Sequence, residues 1–309
     1  MPSQTKSPRN ALAAGVTAYI LWGLFPLFWP LLEPAGALEI LSHRIVWSFV
    51  FMVAALVAMR APWGWVARVL TPRQLPRLVA ASAVIAVNWL VYIWSVNNGY
   101  VVEASLGYFI NPLVNVVFGV IFFGERLTRG ARIGGTLALL GVVVIAFGNL
   151  STLWVSLALA LSFGVYGVLK KKNYLPAMEG LVVESAALTP LALAYLTWLG
   201  LTGAGTMGAS ASSSALLVLA GPVTAIPLWL FAIAAPRLPL GVVGMLQYLA
   251  PTIQFLIGIT IFNQHVTASY WAGLVLVWLG SAIYLERTLR SVNSDTPLRR
   301  PTRHQLPRT

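Results

Sequence analysis

Polar residues punctuate this 309-residue chain at long intervals, and between them the sequence is almost continuously apolar. A helix needs about 20 apolar residues to cross a bilayer core, a few less when flanking side chains snorkel. Ten runs qualify, at residues 11–31, 38–59, 77–96, 103–123, 132–148, 152–169, 180–200, 214–234, 240–262 and 268–286. The period-2 alternation over ~10-residue segments that marks an outer-membrane barrel is absent. The pattern predicts an all-α polytopic membrane protein with ten transmembrane helices.

The pattern also repeats. Pro112 matches Pro251, Gly119 matches Gly258, Phe123 matches Phe262, Thr128 matches Thr267, Gly134 matches Gly273 and Gly141 matches Gly280, each pair 139 positions apart. The bend in the first copy reads FGERLTRGAR, and in the second FNQHVTASYW. Arg126, Arg129 and Arg132 thus have no basic counterparts in the second copy. Lys and Arg gather on the cytoplasmic side of membrane proteins, so the two bends are expected on opposite faces. Duplication with inverted orientation is a transporter signature, with the binding site between the repeats near mid-membrane. The expected division is a cytoplasmic N-terminus at 1–10, a first five-helix repeat at 11–148, a second at 152–288, and a disordered basic cytoplasmic tail at 289–309.

Charge supports this layout. Only 9% of residues are charged, against 58% hydrophobic. With both termini inside, 19 of the 20 Lys and Arg fall in cytoplasmic segments, the exception being Arg44 within the second span. The formal net charge of +12 therefore reads as topology and not as a nucleic-acid surface. The first residues are too short for a signal peptide's charged region, so the first span is read as retained.

Several chemistries are missing. Asp295 is the sole aspartate, the three histidines form no HExxH, no Gly-rich loop ends in Lys-Ser or Lys-Thr, and there is no cysteine. An enzyme, a catalytic or metal site, a cofactor and a nucleotide-driven pump are not expected. The proton gradient is left as the energy source.

Few polar residues lie inside spans, and each is a candidate for binding a substrate or coupling its movement. Arg44 must face the bundle interior and find a partner. A shift of 140 places Arg44 on Glu184 and Glu39 on Glu179. An Arg44–Glu184 pair is expected, either fixing helix packing or serving an anionic or protonatable substrate. Tyr108, Asn111 and Asn115 share a face of the fourth helix at i, i+3, i+7. Gln247 and Gln254, with Tyr248 beside them, form the matching stripe in the ninth. Both stripes suggest a lined cavity, although interhelical hydrogen bonds of ~0.6–2 kcal/mol would also explain them. Asn88 and Tyr92 add an aromatic and amide wall, and Trp22, aligned with Tyr166, is a weaker candidate. Close-spaced glycines such as Gly134 and Gly141 are assigned to packing. Pro26, Pro30, Pro112, Pro190, Pro227 and Pro251 each free a backbone carbonyl within a span.

NWLVYIW, EASLGYFINPLVNVVFG, FFGERLT, VVESAALTPLAL and GMLQYLAPTIQF, in that order, resemble the RarD-type permeases of the EamA branch of the drug/metabolite transporter superfamily. The resemblance covers residues 11–288. It implies two inverted five-helix repeats, an inner (plasma) membrane location and export of small molecules, and it extends to His43-Arg44, Glu184 and Gln247-Tyr248. The chain departs from that pattern at Gln264, which replaces an acidic residue. The expected function is a secondary active transporter exporting a drug, amino acid or metabolite by alternating access, coupled to protons through Glu184. An uncoupled facilitator or channel and a non-transporting membrane scaffold are the alternatives. The expected partners are the substrate, the proton and the lipid bilayer, with no nucleic acid; the sequence leaves the oligomeric state open.

Overall fold

A computed structural model describes residues 8–124, 129–172, 175 and 177–294. Lys6, Arg126, Thr128 and the tail beyond Ser294 lie outside the described residues. Within them the architecture is all-α, with no strand. Seven helices are long and apolar enough to cross a membrane, or eight if a pair bent by 45° counts as one span. Two shorter apolar helices, Arg132–Phe147 and Ala268–Ile283, accompany them.

The bent pair is α1 (Pro8–Gly23) and α2 (Phe25–Phe28), so the expected 11–31 span is broken in the middle. Pro26 explains the break. It has no N–H for the carbonyl of Trp22 four residues earlier. The Gln254 side-chain amide donates to that carbonyl instead, at 3.0 Å. Next come α3 (Ala37–Ala58), the short α4 (Trp65–Val69), α5 (Leu75–Asn97) and α6 (Val101–Phe123). Gly124, in the left-handed region at φ 66°, closes α6. Asn263, the residue 139 positions on, also has a positive φ, at 50°. The two bends thus share a residue of positive φ at the 139-residue offset.

Helical backbone runs without interruption through α7 (Arg129–Lys172), where the sequence predicts two spans. Packing shows that the chain nevertheless reverses within it. Gly141 meets Gly273, and Gly134 meets Gly280, so the first stretch of α7 runs antiparallel to α12 (Ala268–Ser294). Tyr270 donates to the Val102 carbonyl at 3.1 Å, and Trp278 contacts Phe109, so α12 runs parallel to α6. Ser156 donates to the Glu103 carbonyl at 2.6 Å, and Gly164 meets Val114, so the second stretch also runs parallel to α6. The apolar segments Arg132–Phe147 and Leu150–Lys171 are thus oppositely directed.

The chain continues through α8 (Ala177–Thr202), α9 (Ala211–Ala234), α10 (Leu240–Leu246) and α11 (Leu249–Thr260). Gln247 and Tyr248 interrupt the expected 240–262 span. Pro251 cannot donate to the carbonyl of Gln247, but Val242–Thr260 still runs as one span. At its far end, α12 continues to Ser294, six residues into the segment expected to be disordered.

The glycine contacts rest on bare backbone. A Cβ added to Gly141, Gly273 or Gly280 would meet a carbonyl oxygen of the facing helix. Small residues let membrane helices approach this closely. Large apolar residues instead face outwards, with Phe147 89% exposed and Leu201 84%. Arg44, Asn88, Asn111, Glu184 and Gln254 are buried. An apolar exterior around a polar interior suits a bilayer, where ionisable groups turn inwards. This is a multi-pass membrane protein.

At the end of the bundle where α3 and α6 begin, two side chains tie distant segments together. Glu39 accepts the backbone N–H and the hydroxyl of Thr206, at 2.6 and 2.9 Å. Gln264 accepts the Val102 N–H at 2.8 Å and donates to the Gly99 carbonyl at 2.6 Å. The amide at 264 thus caps the N-terminus of α6, and its donating half is something a carboxylate could not supply.

Candidate functional site

A cavity of about 400 Å³ lies where helices from both halves of the chain meet. The first half contributes Trp22, Arg44, Asn88, Tyr92, Tyr108 and Asn111, and the second contributes Glu184, Gln247 and Gln254. Both interrupted helices reach it, α1/α2 through Trp22 and Phe25, and α10/α11 through Gln247, Ala250 and Pro251. Two predicted residues lie elsewhere. Asn115 is exposed beside Gly167, because one helix face seven residues long carries it past the cavity. Tyr248 stacks on Phe109, 6.3 Å between ring centroids, within a separate apolar cluster.

The expected Arg44–Glu184 pair does not form. Glu184 accepts from Lys170 at 2.5 Å and from the Tyr166 hydroxyl at 2.7 Å. Topology counting had placed Lys170 in a cytoplasmic loop. In the structure α7 continues through it, and its long stem turns the ammonium back towards α8. Gly180 makes the approach possible, since a Cβ there would collide with the Lys170 ammonium. Lys170 also lies 5.3 Å from the Tyr166 ring centre. The local signal was present: Tyr166, Lys170, Gly180 and Glu184 are at i, i+4 spacing on the two helices that meet.

Arg44 has aromatic neighbours instead. Its guanidinium carbon is 4.3 Å from the Trp89 ring centre and 5.4 Å from that of Trp29. Among the described residues it has no hydrogen-bond or ion-pair partner, and its Nε is buried and unpaired. Other unpaired polar atoms surround the same space: the Tyr92 hydroxyl, Asn111 Oδ1 and Gln254 Oε1. Buried polar groups in a folded protein are normally satisfied, so these atoms leave hydrogen-bonding capacity open towards the cavity, although Trp29, His43, Trp47, Asn97, Ser185 and Ser281 carry unpaired buried atoms outside its lining.

Asn88 is positioned more firmly. Its amide donates to the Leu159 carbonyl at 3.0 Å and to Ser162 at 2.9 Å, and its oxygen accepts from Tyr108 at 3.4 Å. The Tyr92 and Tyr108 rings meet edge to face at 5.6 Å. Asn88 therefore ties α5 to α7 and holds Tyr108 against the cavity. Sequence reasoning missed Tyr19, Phe25, Trp89, Phe163 and Phe231, which also line the cavity. As isolated aromatics in apolar runs, they are indistinguishable from core or interfacial residues.

The EamA-like transporter family matches residues 9–147. Protein RarD of Streptomyces exfoliatus is 48% identical over 285 residues, 92% of this chain and 90% of that protein. YojE of Bacillus subtilis (strain 168), named as an uncharacterized transporter, is 46% identical, covering 84% of this chain and 90% of its own length. A solved crystal structure superposes with a TM-score of 0.58 at 20% identity, covering 89% of this chain and 96% of the other. That likeness concerns the fold alone.

Proposed function

Because this chain belongs to the EamA-like transporter family, we propose that it is a secondary active transporter exporting a small organic molecule across the inner membrane by alternating access. The carrying observation is the cavity of about 400 Å³ shared by both halves, within the usual range for small-molecule sites. The proposed architecture is ten spans in two inverted five-helix repeats, 11–148 and 152–288, with both termini cytoplasmic.

The glycine crossing supports the inversion. The contact Gly141–Gly273 becomes Gly280–Gly134 under the 139-residue shift, and both contacts are present. A contact set that maps onto itself is what a two-fold relation produces. The helices so related run antiparallel, as they would about an axis lying across them in the membrane plane.

Proton coupling is proposed at Glu184. Protonating this carboxylate would release Lys170 and Tyr166 from their common acceptor, changing the contact between α7 and α8 and the charge of the cavity. An uncoupled facilitator would equilibrate its substrate without concentrating it. The test begins with metabolites whose distribution differs between cells lacking and overproducing the protein. In reconstituted vesicles, an imposed proton gradient should drive their movement. Glu184→Gln should leave a flux that ignores the gradient, and full gradient-driven transport by that variant would remove Glu184 as the carrier.

A further inference from the structure

We propose that the cavity selects small organic monoanions, carboxylates with an apolar or aromatic body, which Arg44 receives through its unpaired guanidinium. This rests on the transporter reading for what is carried, and names the chemical class. Three charged side chains line the space: Arg44, Lys170 and Glu184. Lys170 and Glu184 satisfy each other at 2.5 Å. One positive charge remains, on a group that does not deprotonate in proteins.

That charge is costly where it sits. Arg44 is 5% exposed, and no carboxylate among the described residues pairs with it. Trp89 and Trp29 attract the cation through their ring faces but accept none of its strong hydrogen bonds. A guanidinium presents N–H donors in a planar fork that matches a carboxylate. A bound carboxylate would neutralise the charge and take those donors.

The rest of the cavity fits the remainder of such a molecule. Nine of the 22 lining residues are aromatic, and Tyr92 brings an unpaired hydroxyl beside the cation. A phosphate monoester carries nearly two charges and calls for a second free cation, whereas the ammonium of Lys170 is taken by Glu184. A cationic ligand would meet Arg44 unscreened.

Binding is the direct test. The purified protein in detergent is titrated, by calorimetry and by quenching of cavity tryptophan fluorescence, with benzoate, phenylacetate and indole-3-acetate. Each acid is compared with its amide, and phenyl phosphate and benzylammonium complete the set. At least one acid should bind on the order of tenfold or more tightly than its amide, as expected for a charge-assisted hydrogen bond. Arg44→Gln should erase that preference. Arg44→Lys, which keeps the charge but loses the fork, should retain part of it and gives an answer if Arg44→Gln fails to fold. Equal binding of acids and amides, absence of acid binding, tighter binding of phenyl phosphate, or an acid preference that persists in Arg44→Gln or is undiminished in Arg44→Lys would each overturn the proposal. The two readings fail separately. Acid-selective binding without flux counts against transport alone, and flux of neutral compounds without acid selectivity counts against the monoanion site alone.

Discussion

Removing the ammonium of Lys170 would leave Glu184, 4% exposed, with one donor, the Tyr166 hydroxyl. Breaking a buried pair from one side usually costs about 3–5 kcal/mol. The Lys170 side chain is 24% exposed, so the lower part of that range is expected for Lys170→Met. Adding Glu184→Gln should recover much of the loss, because the uncompensated charge disappears with it. Thermal unfolding of the two single variants and the double variant forms the cycle, and simple additivity would mean that the two side chains are not coupled. Gly180→Ala tests the same contact from the backbone. Its Cβ would occupy the place of the ammonium, so it should lower stability in the direction of Lys170→Met, whereas wild-type stability would show that Lys170 has another route to Glu184.

At the scale of elements, the break between α1 and α2 is a proline effect with an identifiable compensation. The Trp22 carbonyl, freed by Pro26, is taken by Gln254 from α11. Gln254→Leu should cost about 1–3 kcal/mol by stranding that acceptor. Pro26→Ala restores a backbone N–H four residues on, and should lessen the cost of Gln254→Leu when the two are combined. Unfolding measurements showing no such compensation would mean that the break at α1/α2 is held by packing, Gly23 against Ile253, and not by the missing N–H. The α7/α12 crossing is less forgiving. Gly141→Leu would drive a side chain into the Gly273 carbonyl, and overpacking of this kind typically costs about 1–3 kcal/mol or more. Its signature should be loss of folded protein in the membrane rather than an altered substrate preference.

For the whole molecule, inversion makes a prediction about sides. Single cysteines at Ser210 and His265, both exposed, should react with an impermeant thiol reagent applied to intact cells. One at Gln74, also exposed, should not. The chain contains no cysteine, so the background is clean. Labelling at Gln74 from outside would contradict the inverted arrangement. His265 is the better probe of its bend than Gln264, whose amide closes on Gly99 and Val102. Together with Glu39 on Thr206, that closure ties the outer end under the proposed topology. Lys170 and Glu184 line the cavity nearer the opposite end of α8.

The apolar runs fixed the class of this protein by themselves, because only a bilayer accommodates so much uncovered hydrocarbon and only a helix satisfies its own backbone there. A 139-residue offset aligns prolines and glycines in the sequence, and at that offset the structure pairs two residues of positive φ, Gly124 and Asn263. Most of the polar cavity residues could be found as well, since a polar side chain inside an apolar run has few places to face. What tertiary structure decided was which of them meet. Arg44 and Glu184 align by repeat arithmetic, but an alignment fixes equivalence of position and carries no distance. The side chain beside Glu184 comes from the end of α7, where Lys170 counts in sequence as a loop charge, and Gly180 opens the space for it. Asn115 shares a helix face with Tyr108 yet misses the cavity, because a face extends the length of a helix while the cavity occupies only part of that length. The reversal within α7 falls where the apolar pattern divides 132–148 from 152–169, yet the backbone stays helical throughout. How the two stretches lie is set by their opposite registers against α6 and α12.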